Sequence, residues 1–394
     1  MMSTPTSTAA STLYPPGGFG APKDRHGHAG ADTGLPVGTE VFSADNHISL
    51  SEDIFYEKFP AELKEKAPRI WYEDGAYMVG RGKGKTFLPL DFSRVLMQYD
   101  DLAGAATTNI DARIQELHED GVDKELAFPN AVLALFHYPD LELRERVFRI
   151  YNEYIADVQE RSNGHFYGVG LINWWNPDGT RRTLAEVKSL GLKTFLMPLN
   201  PGKGEDGNII DYGSTAMSPV WDEIENAGLP VSHHIGETPP KTPCEVNSVV
   251  VGMMINVDGF RETFSKYLFS GILDRHPTLK VGWFEGGIAW VATALQDAEH
   301  LLASYQHMFN RRVEHDIRYY WDNHMSASFM VDPLGLKLLD EIGVDNVMWS
   351  SDYPHNESTF GYSEKSLKSM VDTVGQEDAV KIVSTNIKKF LGVS

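Results

Sequence analysis

Several apolar segments of this chain end on acidic or histidine side chains, the residue types that bind divalent ions and transfer protons. In the clearest case, the apolar run 346–349 leads into Asp352, and a Tyr-Pro-His turn ending at His355 follows. A carboxylate at the carboxyl end of a late strand is where a parallel barrel places a metal ligand or a catalytic acid or base. We therefore predict that Asp352 belongs to an active site.

The first strand-like segment carries two more side chains of this kind, Asp45 and His47, separated by one residue. Because alternate residues of a strand point to the same side, Asp45, His47 and Ser49 share one face. A carboxylate and an imidazole on that face could bind the same ion.

The fifth and sixth strand-like segments end in a similar way. The fifth ends on His233 and His234, with Glu237 three residues further along the chain, and the sixth ends on Glu285. Strand alternation allows one of the two adjacent histidines to point into a barrel mouth and directs the other away.

The convergence of these side chains at four strand ends predicts a metal centre. Buried carboxylates without compensation are costly, and a divalent cation would neutralise them. Nitrogen and oxygen donors suit Zn, Mn or Fe. The alternative is a metal-free network of salt bridges and hydrogen bonds.

The elements that must position these residues form a repeating strand–helix pattern. Eight short apolar segments have strand character: Glu40–Asn46, Val122–Pro129, Phe166–Asn173, Lys193–Pro198, Leu229–His234, Leu279–Glu285, Met325–Phe329 and Asn346–Asp352. Most are continuously apolar, as expected for strands that are buried on both faces of a parallel sheet. Helical patterns separate them, which predicts an α/β fold of the (β/α)8 TIM-barrel type, distorted by insertions. A doubly wound open sheet is the alternative, but no Gly-rich phosphate turn follows an early strand.

Two insertions and a tail interrupt the regular spacing. We predict one barrel domain over 39–394, with lid insertions at 50–107 after the first strand and at 238–258 after the fifth. The first insertion is expected to contain a hairpin that pairs 70–78 with 86–90. The Ser-, Thr-, Pro- and Gly-rich tail, 1–38, is predicted to be disordered or to lie against a partner.

Composition limits the possible partners and the compartment. The chain has 394 residues, 42% of them hydrophobic, and a net charge of −20, which disfavours nucleic acid and anionic membranes as partners. The single cysteine, Cys244, excludes an internal disulfide and fits the reducing cytoplasm. No run of about 18 apolar residues indicates a spanning helix. We expect a cytoplasmic protein with a small-molecule substrate, which forms homo- or hetero-oligomers through the lid insertions and the tail.

The motifs together resemble the amidohydrolase-related metal enzymes, in the branch of the aminocarboxymuconate semialdehyde and resorcylate decarboxylases. The resemblance covers roughly 39–392 and rests on Ala44–His47, Glu119–Asp123, Gly228–Gly236, Phe269–Pro277, Glu285–Trp290 and Ser351–His355. It implies a distorted (β/α)8 barrel. It also implies that Asp45, His47, His234 and Asp352 are the metal ligands.

Two departures from that family pattern bear on the reaction. Ser49 stands where the family motif has its second histidine, and Glu285 stands where decarboxylases commonly have another histidine. The additional carboxylate could bind a second metal, orient a water or accept a hydrogen bond from a substrate amine. His233 and Glu237 are further candidates for a second metal or for support of the ligands.

Three functional classes therefore remain open. The first is a Zn- or Mn-dependent decarboxylase or hydrolase in which Asp352 shuttles the proton, and Glu285 and His355 assist. The second is a dinuclear Fe/Fe or Fe/Mn monooxygenase that resembles the aminoisobutyrate-hydroxylase type. The third is a barrel subunit with a structural role in a hetero-oligomeric enzyme.

Overall fold

The strands were located in a computed structural model, which describes residues 30, 32–51, 53–73, 76–81, 85, 94–95, 109–237, 248–355 and 357–394. Within these residues eleven strands lie in chain order. They are β1 Phe42–Ile48, β2 Arg69–Glu73, β3 Ala76–Gly80, β4 Arg94–Val95, β5 Lys124–Pro129, β6 Phe166–Leu171, β7 Thr194–Leu196, β8 Val231–His234, β9 Val281–Phe284, β10 Met325–Phe329 and β11 Val347–Trp349.

Eight of the strands, β1 and β5 to β11, form one sheet in which each pairs in parallel with the next along the chain. The sheet closes between β1 and the residues that follow β11. The Asp352 N–H donates to the Asp45 carbonyl at 2.8 Å, and the His47 N–H donates to the Tyr353 carbonyl at 2.6 Å. The predicted (β/α)8 barrel is confirmed.

Every predicted barrel segment overlaps one strand of the barrel, but β11 is shorter than predicted. It ends at Trp349, and Asp352 lies three residues beyond it. The difference arises because Asp352 has a φ of 59°, a left-handed conformation that is incompatible with a strand. β1 begins and ends two residues later than predicted, at Phe42 and Ile48.

Helices cover the outside of the barrel. The described α-helices are Ile54–Lys58, Ile110–Glu119, Leu141–Arg161, Pro177–Ser189, Ser218–Ala227, Ser248–Asn256, Asp258–Phe269, Ile272–Arg275, Ala289–Tyr305, Ile317–His324, Pro333–Lys337, Leu339–Ile342, Ser363–Val374, Gln376–Val380 and Asn386–Leu391. Side-chain caps begin several of them. The Asn109 side chain, for example, accepts hydrogen bonds from the Asp111 and Ala112 N–H groups.

One of these helices, Ile317–His324, was not among the helical patterns identified in the sequence. Its buried residues, Ile317, Tyr320, Trp321 and His324, do follow helical spacing, but the helix has only eight residues. Asp316 caps it by accepting from the Tyr319 N–H at 2.7 Å. Tertiary packing of this buried face therefore stabilises a helix too short to be stable by itself.

The hairpin in the first insertion differs from the predicted one. Segment 70–78 is not one strand, because β2 pairs antiparallel with β3, and β3 pairs with β4. Asp74 and Gly75 lie between β2 and β3 in the sequence, and Asp-Gly is a strong signal for a two-residue hairpin loop. Residues 86–90, predicted as the second strand, lie outside the described residues.

The other predicted segments are only partly described. In the second insertion, residues 238–247 lie outside the described residues, and a helix covers Ser248–Asn256. Residues 1–29 and 31 of the predicted tail also lie outside them. Of the helices that the structure does describe, none is both long enough and apolar enough to cross a membrane.

Candidate metal centre

Six of the predicted side chains are brought together at the carboxyl end of the barrel. β1 carries Asp45 and His47, and β8 ends on His234. Glu285 follows β9 directly, and Asp352 and His355 lie in the turn after β11. All six are buried, with at most 7% of each residue exposed. Parallel strands place their carboxyl ends on the same side of a barrel, which is why residues so far apart in sequence meet.

A first group of four potential ligands consists of Asp45, His47, His234 and Glu285. His234 Nε2 lies 2.8 Å from Glu285 Oε2 and 3.3 Å from Asp45 Oδ1. His47 Nε2 lies 3.3 Å from Glu285 Oε2 and 3.6 Å from Asp45 Oδ1. The donor atoms of this first group are therefore mutual neighbours.

A second group consists of His47, Glu285, Asp352 and His355, so that it shares two members with the first. Asp352 Oδ1 lies 3.3 Å from His47 Nε2 and 3.2 Å from His355 Nδ1. Glu285 presents its other oxygen here, with Oε1 3.9 Å from His355 Nδ1. The two oxygens of Glu285 thus face different groups.

The spacing and the bonding state of these atoms fit a bound cation. Two ligands each about 2.1 Å from one ion lie about 3.0 Å apart at a right angle and about 3.4 Å apart at the tetrahedral angle. The first-group distances of 2.8 to 3.6 Å span this range. Asp45 Oδ2 and Asp352 Oδ2 are buried and have no hydrogen-bond partner among the described residues. Such orphaned carboxylate oxygens are what a cation would satisfy.

Local hydrogen bonds orient the ligands. His234 Nδ1 donates to the Ile235 carbonyl at 2.7 Å, so that Nε2, the atom that faces the first group, is the nitrogen available to an ion. Glu285 has a φ of 70° and Asp352 a φ of 59°, and both are left-handed. The Glu285 N–H donates to Ser328 Oγ at 3.1 Å. Left-handed backbone costs about 1 to 2 kcal/mol per residue, so the fold keeps two strained residues at this site.

The electrostatics of the two groups are dominated by buried carboxylates. Burial raises the pKa of Asp45 to about 6, although His234 and His47 oppose the shift. Burial by itself would lower the pKa of His234, but Asp45 and Glu285 hold it well above its usual value. For His355, burial is likewise outweighed by Asp352 and Glu285, which raise the pKa to about 10. The buried carboxylates therefore favour the protonated forms of His234 and His355.

Glu357 is a further carboxylate at the site that sequence reasoning missed. It is half-buried, and burial together with the charge of Asp352 raises its pKa to about 7. The only sequence signal is its position two residues after His355 in the same turn.

The structure places His233 and Glu237 outside both groups. His233 Nδ1 lies 2.8 Å from the Met197 carbonyl, and Nε2 lies 2.9 Å from Tyr267 Oη. Glu237 Oε1 accepts from the Asn200 N–H at 2.8 Å. Either side chain would have to give up these buried hydrogen bonds to bind a metal.

Comparisons with known proteins agree with this architecture. The model of the family described as "Amidohydrolase" matches residues 114–393. A search of curated protein sequences finds no match. The chain is similar in structure to an amidohydrolase from Mycobacterium avium subsp. paratuberculosis K-10, with 19% identity and a TM-score of 0.72, covering 91% of this chain and 100% of the other.

Two decarboxylases share the same fold. The 5-carboxyvanillate decarboxylase of Sphingomonas paucimobilis has 17% identity and a TM-score of 0.63, covering 90% of this chain and 100% of the other. The dihydroxybenzoic acid decarboxylase of Polaromonas sp. JS666, solved with bound manganese and an inhibitor, has 14% identity and a TM-score of 0.63, covering 90% of this chain and 97% of the other. The family match over most of the chain shows that the protein belongs to the amidohydrolase family.

Proposed function

We propose that Asp45, His47, His234 and Asp352 hold a divalent ion, Zn or Mn, and that the protein acts on a small carboxylate-containing substrate by non-oxidative decarboxylation or hydrolysis. The observation that carries this proposal is the buried convergence of Asp45, His47 and His234 within one group of neighbouring donor atoms. Asp352 adjoins that group through His47, with Oδ1 3.3 Å from His47 Nε2. When bound, the ion would polarise the substrate or activate a water as a Lewis acid. Two structural relatives are decarboxylases, which supports the lyase alternative.

Asp352 is the proposed proton shuttle. Its Oδ2 has no hydrogen-bond partner among the described residues, and His355 Nδ1 lies 3.2 Å from its Oδ1. In a decarboxylation, the bond between the substrate carbon and its carboxylate breaks, CO2 leaves, and the carbon keeps the electron pair and takes a proton from Asp352. In a hydrolysis, Asp352 takes a proton from the attacking water and returns it to the leaving group. His355 orients the Asp352 carboxylate in both cases.

Replacing Asp352 tests this role. Asp352→Asn keeps the size of the side chain and its tolerance of left-handed backbone, so folding should be retained. Turnover is expected to fall about 100- to 10,000-fold, as for loss of a general acid or base. The assay is CO2 release from hydroxybenzoates and carboxyvanillate by Mn-loaded protein, with hydrolysis of amides and esters followed in parallel. Asp345→Asn, at an exposed carboxylate just before β11, is the control. Full activity of Asp352→Asn would exclude the shuttle role.

A second candidate is favoured by one specific observation, the position of Glu285 between the two groups. With Asp45, His47 and His234 around one ion and Asp352 and His355 around another, Glu285 could serve both. Such a carboxylate-rich pair of sites would suit Fe/Fe or Fe/Mn and an oxygen-dependent hydroxylation. This candidate resembles the aminoisobutyrate-hydroxylase type.

Metal content and oxygen uptake separate the two candidates. One Zn or Mn per chain, with activity that needs no oxygen, supports the decarboxylase or hydrolase. Two redox-active ions per chain, with substrate-dependent oxygen consumption, support the hydroxylase. A purified chain that is inactive alone but active with a co-purified sister barrel supports the structural-subunit alternative. Elemental analysis and an oxygen electrode provide both measurements.

We also propose that the protein forms oligomers through its lid insertions and tail. The helix Ser248–Asn256 in the second insertion has an exposed apolar end, with Met254 82% exposed. The adjacent Ile255 is 37% exposed, and contiguous exposed apolar surface can mark an interface. Light scattering of wild-type protein and of Met254→Glu would give the masses, and a monomeric wild type would contradict the proposal.

A further inference from the structure

The turn that carries Asp352 is held to β1 by three consecutive backbone N–H groups. The Ser351 N–H donates to Ser43 Oγ at 2.8 Å, and the Asp352 N–H donates to the Asp45 carbonyl at 2.8 Å. The Tyr353 N–H donates to the side-chain oxygen of Asn46 at 2.9 Å. The position of Asp352 is thus set by contacts of its neighbours with the strand that carries Asp45 and His47.

Asn46 lies between Asp45 and His47 on β1, and both polar atoms of its side chain are hydrogen-bonded. Oδ1 accepts from both the Tyr353 N–H and Ser43 Oγ, the latter at 2.9 Å. Nδ2 donates to Glu125 Oε2 on β5 at 2.7 Å. These hydrogen bonds connect the turn after β11 to β1 and to β5 through the side-chain amide of Asn46.

Glu125 fixes which way that amide points. Arg113 holds the carboxylate with Nε 2.7 Å from Oε1 and Nη2 2.7 Å from Oε2, and both residues are 1% exposed. A carboxylate in this pairing only accepts, so the Asn46 NH2 must face Glu125 and the amide oxygen must face Tyr353. The Arg113 guanidinium also lies 4.8 Å from the centre of the Tyr353 ring.

We propose that Asn46 is a positioning residue for the metal centre, which acts by holding the Asp352 turn against β1 in the orientation imposed by the Glu125–Arg113 ion pair. The Asn46 side chain hydrogen-bonds to Ser43, Glu125 and Tyr353, none of which is a potential ligand. It acts through the position of Asp352 and its neighbours. The inference rests on the proposed metal-dependent function, but it does not depend on which reaction follows.

The chemistry of the position requires an amide. An aspartate at position 46 would keep the acceptor for the Tyr353 N–H, but it would place a second carboxylate 2.7 Å from Glu125. Buried carboxylates in such contact repel each other and move apart.

The experiment measures the affinity of each purified full-length variant for Mn²⁺, by competition with a fluorescent chelator, and the unfolding temperature of the metal-free protein. Asn46→Asp is expected to lower the affinity about 10- to 100-fold, the usual effect of losing a residue that orients metal ligands. If Asn46→Asp does not fold, Asn46→Ser takes its place, because its side chain is too short to join Tyr353 to Glu125.

A matched control separates positioning from simple destabilisation. Asn152 is also 1% exposed, and its amide bonds both the N–H and the carbonyl of Leu171, at 2.8 Å each. Asn152→Asp should lower the unfolding temperature but leave the Mn²⁺ affinity unchanged.

Two results would overturn the inference: unchanged affinity in Asn46→Asp, or an equal loss of affinity in Asn152→Asp. Wild-type protein that binds no divalent ion would overturn the proposed function as well, whereas normal wild-type binding with either of the two results overturns the positioning role alone.

Discussion

At the scale of single residues, Glu285 distinguishes this site from the pattern that the sequence resembles. Its left-handed backbone directs the side chain between the two groups, where one oxygen lies 2.8 Å from His234 and the other 3.9 Å from His355. A histidine there would offer one lone pair to an ion, whereas a carboxylate offers two oxygens and a negative charge. The number of ions that bind should therefore depend on this residue.

Glu285→Gln tests that dependence. The substitution keeps size and backbone preference but removes the charge, so the affinity for the most weakly held Mn²⁺ ion should fall by about tenfold or more. Equilibrium dialysis followed by elemental analysis gives the stoichiometry and affinity. Glu299→Gln, at an exposed carboxylate on the helix after β9, is the control. Unchanged stoichiometry and affinity in Glu285→Gln would remove Glu285 from the ligand set.

Protons should compete with the metal at the first group. Although burial opposes it, Asp45 and Glu285 raise the pKa of His234 well above its usual value, so metal-free protein holds a proton there near neutral pH. An ion must displace that proton, so affinity should rise with pH by about tenfold per unit for each proton released. Calorimetric titration in buffers of different ionisation enthalpy counts the protons. A pH-independent affinity between pH 6 and 8 would contradict this coupling.

At the scale of elements, strand alternation and strand ends decide which side chains reach the site. On β8, His234 faces the first group, while the adjacent His233 points to Met197 and Tyr267. On β1, Asp45 and His47 point one way and Asn46 the other. A shift of one residue in either strand would exchange these roles.

Asp120 is a buried carboxylate, and it lies where two helices of the barrel exterior meet. Asp120 follows the helix Ile110–Glu119 and accepts from the Gly361 N–H at 2.8 Å, just before the helix Ser363–Val374. Burial raises its pKa to about 7. The unfolded chain has the ordinary, lower pKa, so the folded protein binds the additional proton between about pH 4 and 7. The free energy of unfolding should therefore fall as the pH rises through this range.

Asp120→Asn should remove that dependence. The variant is expected to be more stable than wild type at pH 8, where the buried carboxylate is charged, and the advantage should disappear towards pH 4. The slope removed is at most about 1.4 kcal/mol per pH unit. Urea unfolding from pH 4 to 8 measures it, with the exposed neighbour Glu119→Gln as control. Parallel pH profiles for wild type and Asp120→Asn would refute the assignment.

At the scale of the whole molecule, the barrel brings together carboxylates that would otherwise repel each other. Asp45 and Asp352, at opposite ends of the chain, are both fully buried beside Glu285. A bound cation would offset this repulsion only in the folded state. Metal binding and folding should therefore be coupled.

Metal removal should consequently destabilise the protein. With free Mn²⁺ at 100 times its dissociation constant, binding stabilises the folded state by about 2.7 kcal/mol. Treatment with a chelator should lower the unfolding temperature by a few degrees, and added Mn²⁺ should restore it. Differential scanning calorimetry measures the shift. The same unfolding temperature with and without chelator would argue against a resident ion.

Much of the fold could be predicted because parallel barrels have a direct sequence signature. Each of the eight strands is buried on both faces and is therefore a short apolar run, as at Val281–Phe284. Deviations occurred where an element is short or its backbone is strained. The helix Ile317–His324 has only eight residues, and β11 is terminated early by a turn whose conformation its own residues do not favour.

The sequence by itself determined the barrel and the identity of six polar side chains at its carboxyl end, because apolar runs and the residues that end them are local properties. The tertiary structure alone decided how those side chains are grouped. It gave Glu285 one oxygen toward each group, placed Glu357 beside Asp352, and joined Asn46 to Tyr353 and Glu125. These contacts link residues up to about 300 positions apart, and only closure of the barrel sets their distances and backbone angles.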